Sequence, residues 1–179
     1  MTSSIQIFKQ YKDDCKILIE TGHWLGEGTE RALQAGYEKV YTCDINPTFI
    51  EKAKEKYKDG NVVSEALESH LFLEKCLNEI DEKVVIFLDA HFMPDSTGEK
   101  FGDTTVKDGI EACPLIKELE VIKKHHIKDH VILIDDFQCF DTWMFEYLQL
   151  DTIYEFIKTI NKNYKHRLIE NVLCFKVST

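Results

Sequence analysis

The sequence predicts an α/β fold: a doubly wound, Rossmann-like, mostly parallel sheet with an antiparallel hairpin at its C-terminal edge. Three observations carry this. Short apolar runs rich in β-branched residues alternate with amphipathic, helix-length stretches, with almost no spare linker between them. The runs end on acids: Glu20, Asp44, Asp89 and the adjacent pair Asp135 and Asp136. The last two runs, 166–170 and 172–177, are joined so tightly that they must pair antiparallel.

In chain order, a polar leader with a short helix over about 5–12 precedes the first strand, 16–20. Gly22, Gly26 and Gly28 follow, and Ala32 and Leu33 open a helix that Gly36 can terminate. The second strand, 39–43, is closed by Asp44; Asn46 then offers an N-cap, with Pro47 at the first helical position, where a missing N–H costs nothing. Ile50, Ala53 and Tyr57 form that helix's buried stripe. A short third strand, 61–64, leads to a helix whose inner face is Leu73, Cys76, Leu77 and Ile80, and 84–89 is the fourth strand.

The connection 92–109, rich in Gly, Thr, Asp and Lys, is long for a compact domain and has the character of a lid or binding loop. Pro114 sets the next helix to begin near Ala112 or Cys113. The fifth strand, 131–136, is followed by a helical stretch over 141–161 with a break near Asp151, where Thr152 and Glu155 have capping-box spacing. In that stretch Phe140, Trp143 and Tyr147 recur at helical spacing and read as core, whereas His125, His126 and His130 read as surface residues at a helix end.

At 179 residues and 44% apolar content, the chain supports one core, hence a single domain over 1–179. A net charge of −10 and a pI near 5.2 argue against a partner held by phosphate contacts, so no nucleic acid is expected. No apolar run approaches the roughly 20 residues that span a bilayer, and the first residues are too polar for a signal peptide. The six cysteines, at 15, 43, 76, 113, 139 and 174, are too widely spaced for a zinc knuckle or a Cys-x-x-Cys motif. They read as reduced thiols, which suits the cytoplasm.

The chemistry gathers at the outgoing ends of the strands. In such sheets the fourth strand lies beside the first, and the crevice between their outgoing connections holds the ligand. If strands four and five are neighbours, Asp89, Asp135 and Asp136 meet at one rim, three oxygen donors suited to a hard divalent cation such as Mg²⁺. The loop Gly22-His-Trp-Leu-Gly26-Glu-Gly28 lacks the Gly-x-Gly-x-x-Gly pattern of dinucleotide binders, with Trp24 where a small residue is needed. Glu20 and Glu27 would repel a diphosphate. They suit a cationic, phosphate-free ligand with hydroxyls, a description that fits S-adenosylmethionine.

Four blocks carry a family resemblance: Glu20-Thr-Gly-His-Trp-Leu-Gly26, Asp44-Ile-Asn-Pro47, Phe87-Leu-Asp-Ala-His91 and Ile132-Leu-Ile-Asp-Asp136. In this order and spacing they resemble the class I S-adenosylmethionine-dependent methyltransferases, closest to the metal-dependent O-methyltransferases of catechols and of macrolide and aminocoumarin sugars. The resemblance implies that Gly22 and its neighbours Glu20, His23, Trp24, Gly26 and Thr29 line the methionine part of the cofactor. It implies that Asp44 holds the ribose hydroxyls, that Ile45 packs on the adenine, and that Ser64 and Glu65 border its edge. Asp89, lying against the cofactor, would ligate Mg²⁺ or a similar ion with Asp135 and Asp136. Three positions depart from the family. Phe92 stands where the catechol enzymes have a Lys base, Asp136 where they often have an Asn, and His91 where the sugar enzymes more often have an acid; His91 is then the candidate to take the substrate proton, with Asp89 beside it.

The reading is thus a metal-assisted O-methyltransferase acting on a sugar, glycan or small diol, with a small-molecule or carbohydrate partner and no membrane. A homo-oligomer is also compatible, because a neighbouring subunit could complete the pocket. The alternatives are a metal-independent methyltransferase acting on a macromolecule and a non-catalytic cofactor-binding subunit.

Overall fold

The computed structural model describes residues 4–91 and 112–178, so the connection read as a lid lies outside the described residues. The elements are α1 (Ile5–Tyr11), β1 (Ile17–Thr21), α2 (Glu27–Gln34), β2 (Lys39–Asp44), α3 (Pro47–Lys56), β3 (Val62–Ala66), α4 (Ser69–Glu79) and β4 (Val85–Leu88). After the undescribed connection come α5 (Leu115–Lys124), β5 (Val131–Ile134), two 3-10 turns at Phe137–Cys139 and Trp143–Phe145, α6 (Leu150–Ile160), β6 (Tyr164–Ile169) and β7 (Val172–Val177). They build one seven-stranded sheet in the order β3-β2-β1-β4-β5-β7-β6. The pairings from β3 to β5 are parallel, and β7 pairs antiparallel with both β5 and β6. The expected doubly wound sheet with its terminal hairpin is therefore observed.

Strand alternation splits the core in two. Leu18, Val40, Val85, Phe87, Val131 and Leu133 face α1 and Ala32 of α2. Ile19, Ile86, Leu88, Ile132 and Ile134 face α4, α5 and α6. Because β4 and β5 are buried along their whole length, they need apolar residues at every position, hence the unbroken runs Val-Ile-Phe-Leu and Val-Ile-Leu-Ile. The leader is part of this core: the Phe8 ring meets Phe87 edge-on at 5.1 Å. Asn46 caps α3 as expected, accepting the Thr48 N–H at 3.0 Å, with Pro47 at the first position.

Three expectations are corrected. The stretch after Asp141 is not one broken helix: two 3-10 turns precede α6, whose N-cap is Gln149 with no side-chain bond, so the Thr152 to Glu155 spacing caps nothing. Positive φ at Asp141, Glu146 and Tyr147 is what prevents a continuous helix there. Trp143 and Tyr147 are consequently exposed, at 52% and 65%, and only Phe140 joins the core. Conversely, His125 and His130 are buried. The Val84 N–H donates to His130 Nδ1 at 3.2 Å, so the proton is on Nε2, which donates to His125 Nδ1 at 2.8 Å. With both rings neutral, these two hydrogen bonds satisfy both nitrogens of His130 and one of His125.

Candidate active site at the carboxyl rim of the sheet

The rim is built by register. Leu88 pairs with Thr21 on one side and with Ile134 on the other, so the residues just beyond those strand ends emerge together. The Asp89 N–H still bonds the Thr21 carbonyl at 3.1 Å and the Asp135 N–H bonds the Leu88 carbonyl at 3.0 Å. Past these points the chains leave the sheet, and Asp89, His91 and Asp136 turn toward one another. One ligand atom from each lies within 4.8 Å of the others. His91 Nε2 donates to Asp136 Oδ2 at 2.7 Å and lies 3.9 Å from Asp89 Oδ1. The Phe145 ring packs against His91, centroids 5.2 Å apart.

Asp89 and Asp136 thus meet as the sequence suggested, and His91 completes the described cluster in the place expected for Asp135. Asp135 is turned inward, 3% exposed, with Oδ1 accepting the N–H of Asp136. Burial pushes its carboxyl up to about 6, against the pull of that N–H. Burial also raises Asp89 well above the carboxylate range, and the charges of Asp135 and then Asp136 add to this. Asp136 goes the other way: burial opposes its charge but is outweighed by the His91 hydrogen bond and charge and by the Gln138 amide, which hold it below its ordinary value. Clustered acids of which one resists ionising are what a cation relieves. Two carboxylate oxygens and an imidazole nitrogen are a donor set that fits a divalent ion.

The glycine loop lies directly beside this cluster. A Cβ on Gly22, whose φ is +85°, would come within 2.4 Å of the Asp89 carbonyl oxygen, so only glycine lets the loop after β1 touch the end of β4. Under the loop, Glu20 is 1% exposed; its Oε2 accepts hydroxyl protons from Thr29 at 2.5 Å and Thr42 at 2.6 Å. With those protons committed, His23 Nδ1 donates to the two hydroxyl oxygens at 3.1 and 3.2 Å. Glu20, His23 and Thr29, expected to line the cofactor, are hydrogen-bonded to one another and to Thr42. They form a buried polar lock below the loop, and Gly28 is small because a Cβ there would fall 2.0 Å from Glu20 Oε1. Glu20 Oε2 is thus occupied by the two hydroxyls, and Glu27, the other acid of the loop, pairs with Arg31 at 2.9 Å.

Trp24, with a positive φ of 45°, donates its N–H to Asp44 Oδ2 at 2.8 Å, and the Asn46 N–H reaches Oδ1 at 2.8 Å. Both oxygens of Asp44 are aimed, yet each keeps lone pairs, and burial raises this carboxyl despite the two N–H donors. A fixed, half-buried carboxylate suits a ribose diol. Ile45 beside it is 36% exposed, an apolar surface of the kind an adenine covers, and Ser64 and Glu65 stand on β3 nearby, Glu65 paired with Lys75 at 2.6 Å. Gly22, Gly26, Asp44 and Ile45 fit S-adenosylmethionine. Sequence reasoning missed Thr42, Gln138, Asn171 and the buried Glu118. Asn171 is marked only as a turn residue between the last two strands, and the other three carry no local signal of the partners they meet.

No protein-family model and no curated relative matches the sequence; solved structures do. The chain superposes on the MycE methyltransferase of the mycinamycin biosynthetic pathway, solved with Mg and S-adenosylhomocysteine, with a TM-score of 0.59 at 13% identity, covering 96% of this chain and 47% of that one. An rRNA methylase of Streptococcus thermophilus matches over 98% of this chain and 94% of that one, TM-score 0.57, 12% identical. The N-methyltransferase NodS of Bradyrhizobium japonicum matches over 97% and 93%, TM-score 0.56, 12% identical. The chain has the class I methyltransferase fold.

The rRNA methylase overturns the expected partner, a small molecule or carbohydrate with nucleic acid excluded. The charge argument fails because net charge is a sum over the whole surface. A chain at −10 still carries 22 Lys and Arg, and a polyanion responds to their local distribution. Among the described residues, no helix is long and apolar enough to cross a membrane.

Proposed function

We propose that this protein is an S-adenosylmethionine-dependent O-methyltransferase in which Asp89, Asp136 and His91 would hold a divalent ion beside the acceptor hydroxyl. One observation carries the reading: the cluster at the ends of β4 and β5 lies against the loop at Gly22, so a methyl donor and an ion would be neighbours. MycE, a methyltransferase solved with both Mg and S-adenosylhomocysteine, supports the pairing of the two on this fold.

Bound in the crevice, the cofactor supplies an electrophilic sulfonium methyl. Bound at the rim, the ion supplies Lewis acidity that eases loss of a hydroxyl proton. The chain's own part is aim. Asp44 holds the ribose end through oxygens oriented by the Trp24 and Asn46 N–H groups. Asp89 and Asp136 present one oxygen each, and His91 Nε2 lies 2.7 Å from that of Asp136 and 3.9 Å from that of Asp89, a closeness that favours ligation over the proton-accepting role read from the sequence. Imidazole in the set favours a transition ion over the Mg²⁺ suggested by three carboxylates, and Mn²⁺, which also accepts oxygen ligands, is the probe for such a site. An acceptor with two adjacent oxygens would suit such a donor set, and vicinal diols occur at RNA 3′ ends as well as in free sugars. The buried cysteines, all unpaired among the described residues, support a cytoplasmic location.

The test is tritium transfer from labelled S-adenosylmethionine to catechol, methyl glycosides and ribosomal RNA, each with Mn²⁺, Mg²⁺ or EDTA. Transfer that needs the ion and alkylates oxygen supports the proposal. Full activity in EDTA overturns the ion, and failure to bind S-adenosylhomocysteine overturns the whole reading.

A further inference from the structure

The turn joining β6 to β7, at the far end of the sequence, reaches back to the ion cluster. Asn171 in that turn makes three bonds to the segment following β5. Its Nδ2 donates to Asp136 Oδ1 at 2.8 Å, its Oδ1 accepts the Gln138 N–H at 3.2 Å, and its carbonyl accepts the Phe137 N–H at 2.9 Å. The amide orientation is forced: flipped, it would set oxygen against Asp136 Oδ1 and N–H against N–H. The Gln138 side chain adds a second donor to the same Asp136 Oδ1, at 2.8 Å.

Asp136 therefore has its two oxygens assigned to different tasks. Oδ1 is saturated by two neutral amides, and Oδ2 is the one turned to His91 and the cluster. Two donors on one oxygen fix the plane of the carboxylate, so Oδ2 cannot swing away when His91 gives up its hydrogen bond. The backbone needs the same restraint. Asp136 has φ 52°, in the left-handed region, a conformation that persists only where surrounding bonds enforce it. Asn171, through Phe137 and Gln138, supplies those bonds from the adjacent hairpin.

We infer that Asn171, assisted by Gln138, is a positioning residue of the ion site, making Asp136 a one-oxygen ligand with a fixed direction. The inference rests on the ion reading proposed above. It makes the C-terminal hairpin part of the site, although that hairpin contributes no ligand of its own. Donors that orient a ligating carboxylate change ion affinity about 10- to 100-fold when lost.

The experiment measures Mn²⁺ affinity of the full chain by electron paramagnetic resonance of free Mn²⁺, alongside S-adenosylhomocysteine affinity by calorimetry, for the wild type, Asn171→Ala, Gln138→Ala and the double variant. Expected is a loss of Mn²⁺ affinity of about tenfold or more for Asn171→Ala, a smaller loss for Gln138→Ala and the largest for the pair, with S-adenosylhomocysteine affinity within about twofold of wild type. A hairpin staple with no other role would lower the melting temperature and leave Mn²⁺ affinity alone. Mn²⁺ binding at wild-type strength in both single variants overturns the inference and leaves the ion site standing. A wild type that binds S-adenosylhomocysteine but no Mn²⁺ overturns the ion site and the inference together. Should Asn171→Ala not fold, Gln138→Ala decides, since that side chain is exposed.

Discussion

His91 Nε2 lies 2.7 Å from Asp136 Oδ2, joining the loop after β4 to the loop after β5 across 45 residues of sequence. The bond orders the rim before any ion arrives. It also sets a competition, because the nitrogen cannot both ligate and keep the proton that it now donates. Mn²⁺ binding should weaken as pH falls and release a proton, since burial holds the Asp89 carboxyl well above the ordinary carboxylate range and a ligating carboxylate must be ionised. His91→Ala and Asp136→Ala should each cut Mn²⁺ affinity tenfold or more, on the order of the 1.4 kcal/mol that a factor of ten represents, or beyond it. Calorimetry in buffers of different ionisation enthalpy reads both affinity and proton release.

Asp44 is held by two N–H donors and, in the proposed reading, holds the cofactor rather than the ion. Asp44→Ala should lower S-adenosylhomocysteine affinity by about 10- to 100-fold, as expected for losing hydrogen bonds to a charged acceptor, and leave Mn²⁺ affinity within about twofold. A matched loss of both ligands would mean that the two half-sites are one.

Gly22→Ala should be destabilised by about 2–4 kcal/mol, since its φ of +85° is unfavourable for any side chain and the new Cβ would meet backbone at Asp89. The displaced partner is the ion-site aspartate, so any folded Gly22→Ala should lose Mn²⁺ and S-adenosylhomocysteine affinity together. Urea denaturation and the same titrations check it.

Glu118 is 1% exposed, and burial pushes its carboxyl from 4.5 up to about 7, despite hydroxyls of Thr21 and Ser69 nearby. A raised folded-state value means that the native chain holds the proton more tightly. Its contribution is complete below pH 4.5 and is lost as pH rises through 7. Glu118→Gln, which cannot ionise, should gain on the wild type over that window, by on the order of 3 kcal/mol at pH 8. Urea midpoints from pH 4 to pH 8 measure the divergence; parallel curves would mean that Glu118 is ionised throughout.

His130 has the opposite sign. Burial, reinforced by the charges of His125 and His126, depresses its ring from 6.5 to about 3. The unfolded chain takes up the proton first, so this contribution is present above pH 6.5 and is lost as pH falls toward 3. His130→Asn, keeping an acceptor for the Val84 N–H, should show a shallower fall in stability between pH 6.5 and pH 4 than the wild type does.

The elements that were legible share a feature. β4 and β5 are buried on both faces, so every residue must be apolar, and their ends are marked by the first acid; helix α3 announces itself with Asn46 and Pro47. The segment from Asp141 to Gln149 reads as helix because its aromatic spacing is helical, while the positive φ angles that break it leave no compositional trace when carried by Asp141, Glu146 and Tyr147. His125 and His130 were misread because the partner that makes burial affordable is the other ring, visible only once both are in place.

Acids at strand ends, glycines in the first loop and the alternation of strand and helix determined the doubly wound sheet and pointed to Asp44, Asp89 and Asp136. Only the tertiary structure decided that Glu20 is consumed by Thr29 and Thr42, that His91 joins the cluster while Asp135 turns inward, and that Asn171 secures Asp136. The physical reason is range. Periodicity and capping act within a few residues and are written locally, whereas a carboxylate's partners are chosen by strand register, which brings residues 35 and 45 positions apart within hydrogen-bond distance.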